Sequence, residues 1–293
     1  MSSGLGVDIQ RAVIARRVFG AAPRTIGRFE ILEVVGAGAS GVVYAARDPL
    51  LHRRVAIKLL VRPAVTVTDT ERWLREARAL AQLSHRNVVT IYEVGEWRGH
   101  SFLAMELIEG QTLARWLAAE PRTLDAISAV FADAGLGLAA AHACHRVHRD
   151  FKPANVLVAS DGRVVVTDFG LVDDLARRGL HAAGSHRAVG TPAYAAPEQR
   201  RGAEPVPSAD VYSFAVALTE AVLGSHPRPE SSTRWKPLLR RRVPRRLYRE
   251  LCAAMVLDPR QRTASLAPLL AVLSSSRVNR SQRRLYRRAA TVA

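Results

Sequence analysis

The chain has 293 residues, 48% hydrophobic and 24% charged, which supplies apolar side chains for one or two packed domains and excludes disorder throughout. Two cysteines, Cys144 and Cys252, cannot build the disulfide framework of a small secreted domain, and the longest apolar run, Phe131 to Ala141, is broken by Asp133, short of the roughly 18 residues of a membrane helix. The net charge is +17, of which residues 234–293 carry +14 and the first 233 residues +3, so the basic excess is a C-terminal feature. A reducing, cytoplasmic location without a membrane span is the expectation.

Residues 1–27 read as a leader, with a short helix around Asp8 to Val18 followed by the breakers Pro23 and Gly27, and no continuous signal-peptide core. From Phe29 to Tyr44 two apolar, β-branched runs flank a cluster of glycines, which predicts a hairpin with a Gly-rich turn. Arg54 to Leu60 reads as a strand, Asp69 to Leu83 has the apolar spacing of a helix, and Val88 to Val94 and Ser101 to Leu107 read as two more strands. Past Gly110 helices are predicted over Leu113 to Ala119 and Leu124 to His142, then short strands at Val156 to Val158 and Val164 to Val166. Residues 171–200 lack periodicity, and a loop of that length in a compact domain is usually functional. Further helices are expected at Val211 to Leu223, Leu247 to Val256 and Leu266 to Leu273.

Of the 43 basic residues only Lys58, Lys152 and Lys236 are lysines. Where arginine is the default cation, a retained lysine points to a site that needs a compact ammonium. The first chemical signal is Gly36-Ala37-Gly38-Ala39-Ser40-Gly41-Val42-Val43. Such a turn also serves as a plain hairpin connection, but its place between two strands would let its amides cover phosphates. Lys58 follows at the end of Val55-Ala56-Ile57-Lys58, and Glu76 on the next helix is a candidate counter-ion. The second signal is more specific: His148-Arg149-Asp150-Phe151-Lys152-Pro153-Ala154-Asn155, then Asp168-Phe169-Gly170, then Ala196-Pro197-Glu198. An aspartate suited to accepting a hydroxyl proton is followed by a second lysine, a turn proline and an asparagine able to bind a metal, and thirteen residues later by a hard carboxylate that suits magnesium.

In these motifs the sequence resembles the protein kinase family, most closely bacterial eukaryotic-like serine/threonine protein kinases, over residues 28–275. The resemblance implies an α+β, bilobal protein-kinase-like fold: a small antiparallel β-sheet N-lobe over 28–107 with one key helix, and a larger, mainly helical C-lobe over 108–275, with a basic tail at 276–293. It implies ATP and Mg2+ as cofactors, with Mn2+ as an alternative, and transfer of phosphate to Ser or Thr of protein substrates. Gly36 to Gly41 would cover the phosphates; Val43, Ala56 and Leu157, which are also ordinary core residues, would sandwich the adenine. Met105 would lie behind the base, and Glu106 to Ile108 would bond it. Lys58 would hold the α- and β-phosphates and pair with Glu76. Asp150 would be the catalytic base, Lys152 would neutralise charge on the moving group, and Asn155 and Asp168 would hold the metal. Thr191 would bond near Asp150, Glu198 would pair with Arg262, and Asp210 would brace the catalytic loop.

Competing readings are a pseudokinase scaffold, against which Lys58, Asp150, Asn155 and Asp168 are all retained, and a small-molecule phosphotransferase, against which the 171–200 loop argues. His142, His145, His148 and Cys144 also suggest zinc, although no second ligand pair follows. The arginine-rich region reads first as a solvated face and then as a dock for acidic protein. Nucleic acid has no support beyond charge, because Tyr286 is the one aromatic beside the tail arginines. The short basic stretch Gly224 to Val243 suggests acidic residues around the target hydroxyl. Ser185 is the one hydroxyl between Leu171 and Gly190, hence the expected activating phosphosite opposite Arg149. Oligomeric state is not legible.

Overall fold

The computed structural model describes residues 25–38, 41–60, 67–170, 193–204, 206–229 and 232–275. Ala39, Ser40, Ser185, Thr191, the leader to residue 24 and the tail from 276 lie outside the described residues. The described residues fall into two compact units, the first drawn from 25–84 with 89–109, the second from 85–88, 110–170 and 193–275.

The first unit is built on a six-stranded antiparallel sheet in the order β1-β2-β3-β4-β6-β5. Its strands are β1 (Thr25–Ile26), β2 (Phe29–Gly38), β3 (Gly41–Asp48), β4 (Arg53–Leu60), β5 (Ile91–Trp97) and β6 (His100–Glu106), and helix α1 (Val67–Ala81) lies along β5. Thr25 and Ile26, read with the leader, instead pair with β2, and Ile26 is fully buried. The strand read from Val88 starts at Ile91, and Val88 makes a single parallel bridge to Val166.

Side chains alternate between the two faces of each strand, and this sorts the sheet. Val42, Tyr44 and Ala46 of β3, Val55, Ile57 and Leu59 of β4, and Phe102 and Ala104 of β6 close one core with Ile26 and Phe29. Gly41 begins β3 with φ 145°, and a Cβ there would lie 2.2 Å from the Leu59 carbonyl oxygen, so glycine is required at this approach.

Arg28, in the turn between β1 and β2, closes the curl of the sheet. Its Nε and Nη2 donate to the two oxygens of buried Asp48 at 3.2 and 3.1 Å, and Nη1 lies 2.5 Å from Glu93 on the far edge strand. Asp48 also accepts the amides of Leu50 and Leu51, which fixes the turn after β3.

The second unit opens with β7 (Gly110–Thr112), α2 (Leu113–Ala119) and α3 (Leu124–Ala143). Thr112 and Thr123 cap the two helices by accepting the amides of Arg115 and Ala126 at 3.2 Å. A 3₁₀ turn (Pro153–Asn155) leads to β8 (Val156–Ala159) and β9 (Val164–Val166), which join β7 in a three-stranded antiparallel sheet. Then come α4 (Pro197–Arg200), α5 (Pro207–Leu223), α6 (Ser232–Arg242), α7 (Arg245–Ala254) and α8 (267–275). Helix α5 is buried nearly all round from Ala209 to Thr219 and ends at Gly224, left-handed at φ 75°. Helix α6 occupies the stretch read as a short connection. Pro237 hides it from a propensity reading, but Trp235 and Leu239 are buried and hold it in place.

Helix α3 is long and apolar enough to cross a bilayer by length and composition, and half of it is buried within the protein. It packs on β9 and α5, and a Cβ on Gly137 would lie 2.3 Å from the Asn87 carbonyl oxygen. Its Ala and Gly content therefore serves close packing in a core.

The guanidinium of Arg28 holds the Asp48 carboxyl below its ordinary value. Because that value is depressed in the folded state, its stabilisation is present above about pH 4 and is lost as pH falls through the folded value. Asp48→Asn should melt below the wild type at pH 7, with the gap narrowing towards pH 3. A melting series read by circular dichroism that shows a constant gap would remove this charge pair from the account.

Candidate active site

The catalytic loop is built around a buried carboxylate. Asp210, near the start of α5 and wholly buried, accepts the backbone amides of His148 and Arg149 at 2.7 and 2.9 Å and lies 2.8 Å from His142 Nε2. A buried carboxylate is tolerated when such donors surround it. The bonds hold Arg149 at φ 70°, an uncommon conformation for a non-glycine residue, and Gln199 Nε2 fixes its carbonyl at 2.9 Å.

His148 is the second anchor. Its Nδ1 accepts the Asp150 amide at 3.3 Å, so the proton sits on Nε2, which donates to the Thr167 carbonyl at 3.0 Å. The ring lies 4.6 Å from Phe169, and Phe151, Phe214 and Phe131 continue an aromatic chain towards α3. Asp168 is also left-handed, at φ 59°, and Gly170 donates to the His148 carbonyl at 2.8 Å. A Cβ on Gly170 would approach that oxygen to 2.9 Å. Two strained turns, 148–150 and 168–170, are thereby fastened to one another.

Within this frame Lys152 Nζ lies 2.7 Å from Asp150 Oδ2, and Asn155 Nδ2 donates to the Asp150 carbonyl at 2.8 Å and to Oδ2 at 3.1 Å. Both donors choose the same carboxylate oxygen, which leaves Oδ1 to accept the proton of a hydroxyl. With its nitrogen committed to Asp150, Asn155 keeps its amide oxygen for another partner. That oxygen and the Asp168 carboxylate are hard donors suited to a divalent ion. Asn155 is further tied by its carbonyl to the Thr167 amide at 2.9 Å, one residue before Asp168.

The first unit carries the remaining candidates. The register pairs Val43 with Lys58 and Ala56 with Met105, so these four share the sheet face opposite the Val42, Tyr44 and Ile57 core. Lys58 is buried on that face, and Glu76 lies half-buried on α1. A Cβ at Gly36 or Gly38 would meet nothing within 4 Å; these two glycines are not demanded by packing, and they leave the hairpin surface open to a ligand. The Glu106 amide donates to Thr90 at 2.9 Å, so it is not offered to a base, and the chain leaves strand pairing after Glu106, through Ile108. Leu157 belongs to the second unit, on β8 opposite Val165.

The pair implied between Glu198 and Arg262 is present, buried and bidentate at 2.5 and 2.9 Å. Arg262 also donates to the carbonyls of Val256, Ser208 and Leu257, which satisfies all five of its N–H groups. The histidine cluster separates: His142 serves Asp210, and both His148 nitrogens are engaged in the loop. Two further contacts had no sequence signal. Gln199 joins Arg149 to the Ala196 amide. Tyr194 donates to Glu220 at 2.5 Å, and its hydroxyl is pushed well above the ordinary phenol range by burial and by that carboxylate.

A curled antiparallel sheet bearing a buried strand lysine, and a helical unit bearing an Asp-Lys-Asn loop and an Asp-Phe-Gly turn, define the protein kinase class. The chain belongs to the protein kinase domain family, whose model matches residues 29–266. It is 40% identical over 202 residues to the serine/threonine-protein kinase PknL of Mycobacterium tuberculosis, a match covering 68% of this chain and 50% of PknL. It is 34% identical over 206 residues to PrkC of Bacillus subtilis, covering 70% of this chain and 32% of PrkC. The chain thus spans half or less of the length of these relatives. The Mycobacterium tuberculosis PknI kinase domain superposes with a TM-score of 0.68 at 26% identity, covering 86% of this chain and 97% of that one.

Removing Arg262 leaves Glu198 buried without a counter-ion. Arg262→Ala should cost about 3–5 kcal/mol, read as a loss in the urea midpoint. Removal of less than about 1 kcal/mol would show that the pair is not structural.

Proposed function

We propose that this protein is an ATP-dependent protein kinase that phosphorylates Ser or Thr of protein substrates in bacterial signalling. The supporting observation is the Asp150 carboxylate, gripped on Oδ2 by Lys152 and Asn155 and left with Oδ1 for a substrate hydroxyl. Bound ATP with a divalent ion, Mg2+ in this reading, supplies the phosphoryl group and charge neutralisation. Asp150 orients the hydroxyl and takes its proton as the oxygen bonds to phosphorus and the leaving oxygen of ADP departs. Lys152 offsets charge on the group in transit. Asn155 and Asp168 would hold the metal, and Lys58, paired with Glu76, would hold the α- and β-phosphates.

Three finer points belong to the same reading. Exposed Arg234, Arg240, Arg241 and Arg242 with Lys236 favour acidic residues around the target hydroxyl. The kinase also phosphorylates itself, with Ser185 as the acceptor. Its location is cytoplasmic, in keeping with Cys144 and Cys252, which are both free thiols.

The test is transfer of labelled phosphate from ATP and Mg2+ to a generic protein substrate. Asp150→Asn and Lys58→Met should each lower transfer by about a hundredfold or more with an unchanged melting temperature. Full activity in either variant, or no transfer by the wild type, would refute catalysis. In a degenerate peptide library acidic neighbours should be enriched, and peptide mass mapping after incubation with ATP should find phosphate on Ser185.

A further inference from the structure

Helix α5 ends where Gly224, at φ 75°, donates to the Glu220 carbonyl at 2.8 Å, and the chain runs on through Ser225-His226-Pro227-Arg228. Pro227 has no N–H, so Arg228 supplies the first amide after the histidine. That amide donates to His226 Nδ1 at 3.2 Å, and Arg228 is left-handed at φ 48°. A non-glycine residue in this region is costly unless its surroundings hold it. With Nδ1 accepting, the ring proton lies on Nε2, which donates to the Ala193 carbonyl at 2.9 Å. The imidazole also meets the Tyr194 ring edge-on, with centroids 5.4 Å apart. Tyr194 in turn donates to Glu220 of α5 at 2.5 Å. Residues 193 and 194 are thus held from the α5 side by two independent contacts.

This backbone borders the place a phosphate acceptor must occupy. Gln199 ties the Ala196 amide to the Arg149 carbonyl, one residue before Asp150, and Tyr194 shares a cavity wall with Pro153, one residue after Lys152. A hydroxyl on a protein reaches Asp150 Oδ1 only if the residues flanking it lie along this surface, where Ala193 is exposed. A free loop has to be ordered each time such a segment binds, at about 1–2 kcal/mol per residue. His226 meets part of that cost in advance. Its grip needs the neutral ring, because a proton on Nδ1 would set one N–H against that of Arg228, and the turn and the bond to Ala193 would be lost together. Among the described residues, the titratable and charged groups about the ring are Tyr194 and Glu220, Arg228 in its own turn, and Arg242 of α6, which donates to the carbonyls that end α5. Both ring nitrogens bond backbone groups and Glu220 is engaged by Tyr194, so no bonded carboxylate favours the charged ring.

We propose that neutral His226 is a positioning residue for protein substrates: it latches Ala193 and Tyr194 in the conformation that receives the segment around the target hydroxyl, and protonation opens the latch. The part played in substrate binding rests on the kinase reading above; the latch itself does not.

The test uses the full chain with casein as substrate. It compares His226→Gln, which keeps a donor at the Nε2 position, with His226→Asn, whose shorter amide reaches only the Nδ1 position. At pH 7.5 the asparagine variant should raise the KM for casein about fivefold, the factor one hydrogen bond is worth. Its kcat and its KM for ATP should stay within about twofold of wild type, with melting unchanged, and the glutamine variant should keep the wild-type KM. From pH 7.5 to 5.5, where imidazoles ordinarily gain a proton, the wild-type KM for casein should rise about fivefold relative to that of the glutamine variant. An unchanged KM in the asparagine variant, a glutamine variant that behaves like it, or parallel pH responses of wild type and glutamine variant would overturn the proposal. Hydrogen exchange without ATP, read by mass spectrometry, separates the latch from the kinase reading: the 193–199 segment should exchange faster in the asparagine variant than in the other two proteins. Equal exchange in all three refutes the latch. No transfer from ATP to casein or to the kinase itself, with the exchange difference present, refutes the kinase reading instead.

Discussion

The buried carboxylate of Asp210 is the constraint on which the catalytic loop depends. Three donors converge on it, and two of them are backbone amides of the loop itself, His148 and Arg149. Each buried amide left without an acceptor costs about 1–3 kcal/mol, so the helix and the loop hold each other in place. The bonds also hold Arg149 in a left-handed conformation that the free chain would rarely visit. Asp150 therefore projects from a fixed turn, and its carboxylate is positioned before any substrate arrives. That preorganisation is what phosphoryl transfer asks of a protein, because positioning and charge supply most of the rate.

The first unit solves a related problem with a sheet. Alternation along β3, β4 and β6 sends Val42, Ile57 and Ala104 into one core and leaves Val43, Ala56, Lys58 and Met105 on the other face. A lysine in a strand whose neighbours are nearly all buried is costly unless its ammonium has a role. Small Ala56 beside flexible Met105 keeps side-chain volume low on this face. The same period of two thus separates the residues that stabilise the sheet from those able to handle a nucleotide.

Much of this was legible in the sequence because the chemistry is local. Asp150, Lys152 and Asn155 lie within six consecutive positions, and a short turn suffices to bring them onto one another. The strands of the sheet were legible because their alternation is strong. What could not be read depended on long-range closure. The service of His142 to Asp210 spans 68 residues, and its spacing near Cys144 resembled a metal pattern as much as a brace. Arg28, an ordinary surface residue by sequence, ties both edges of a sheet because the sheet curls. Helix α6 was hidden by Pro237, and tertiary anchoring through Trp235 and Leu239 overrode propensity.

The two ways the chain uses arginine separate structure from interaction. Arg262 is buried, its five donors are all satisfied, and its pair with Glu198 links α4 to the segment after α7. Such a residue is fully consumed by the fold. Arg240 and Arg241 are exposed and unpaired among the described residues, in a helix without a single acid. Mutual repulsion between such neighbours opposes folding, and solvent screening lessens but does not remove it. The carbonyl end of α6 favours cations in its last turn, and Arg242 donates to the carbonyls that end α5, but Arg240 and Arg241 add charge beyond these two uses. The proposed preference for acidic residues around the target hydroxyl would use them, because one acidic segment can neutralise several at once.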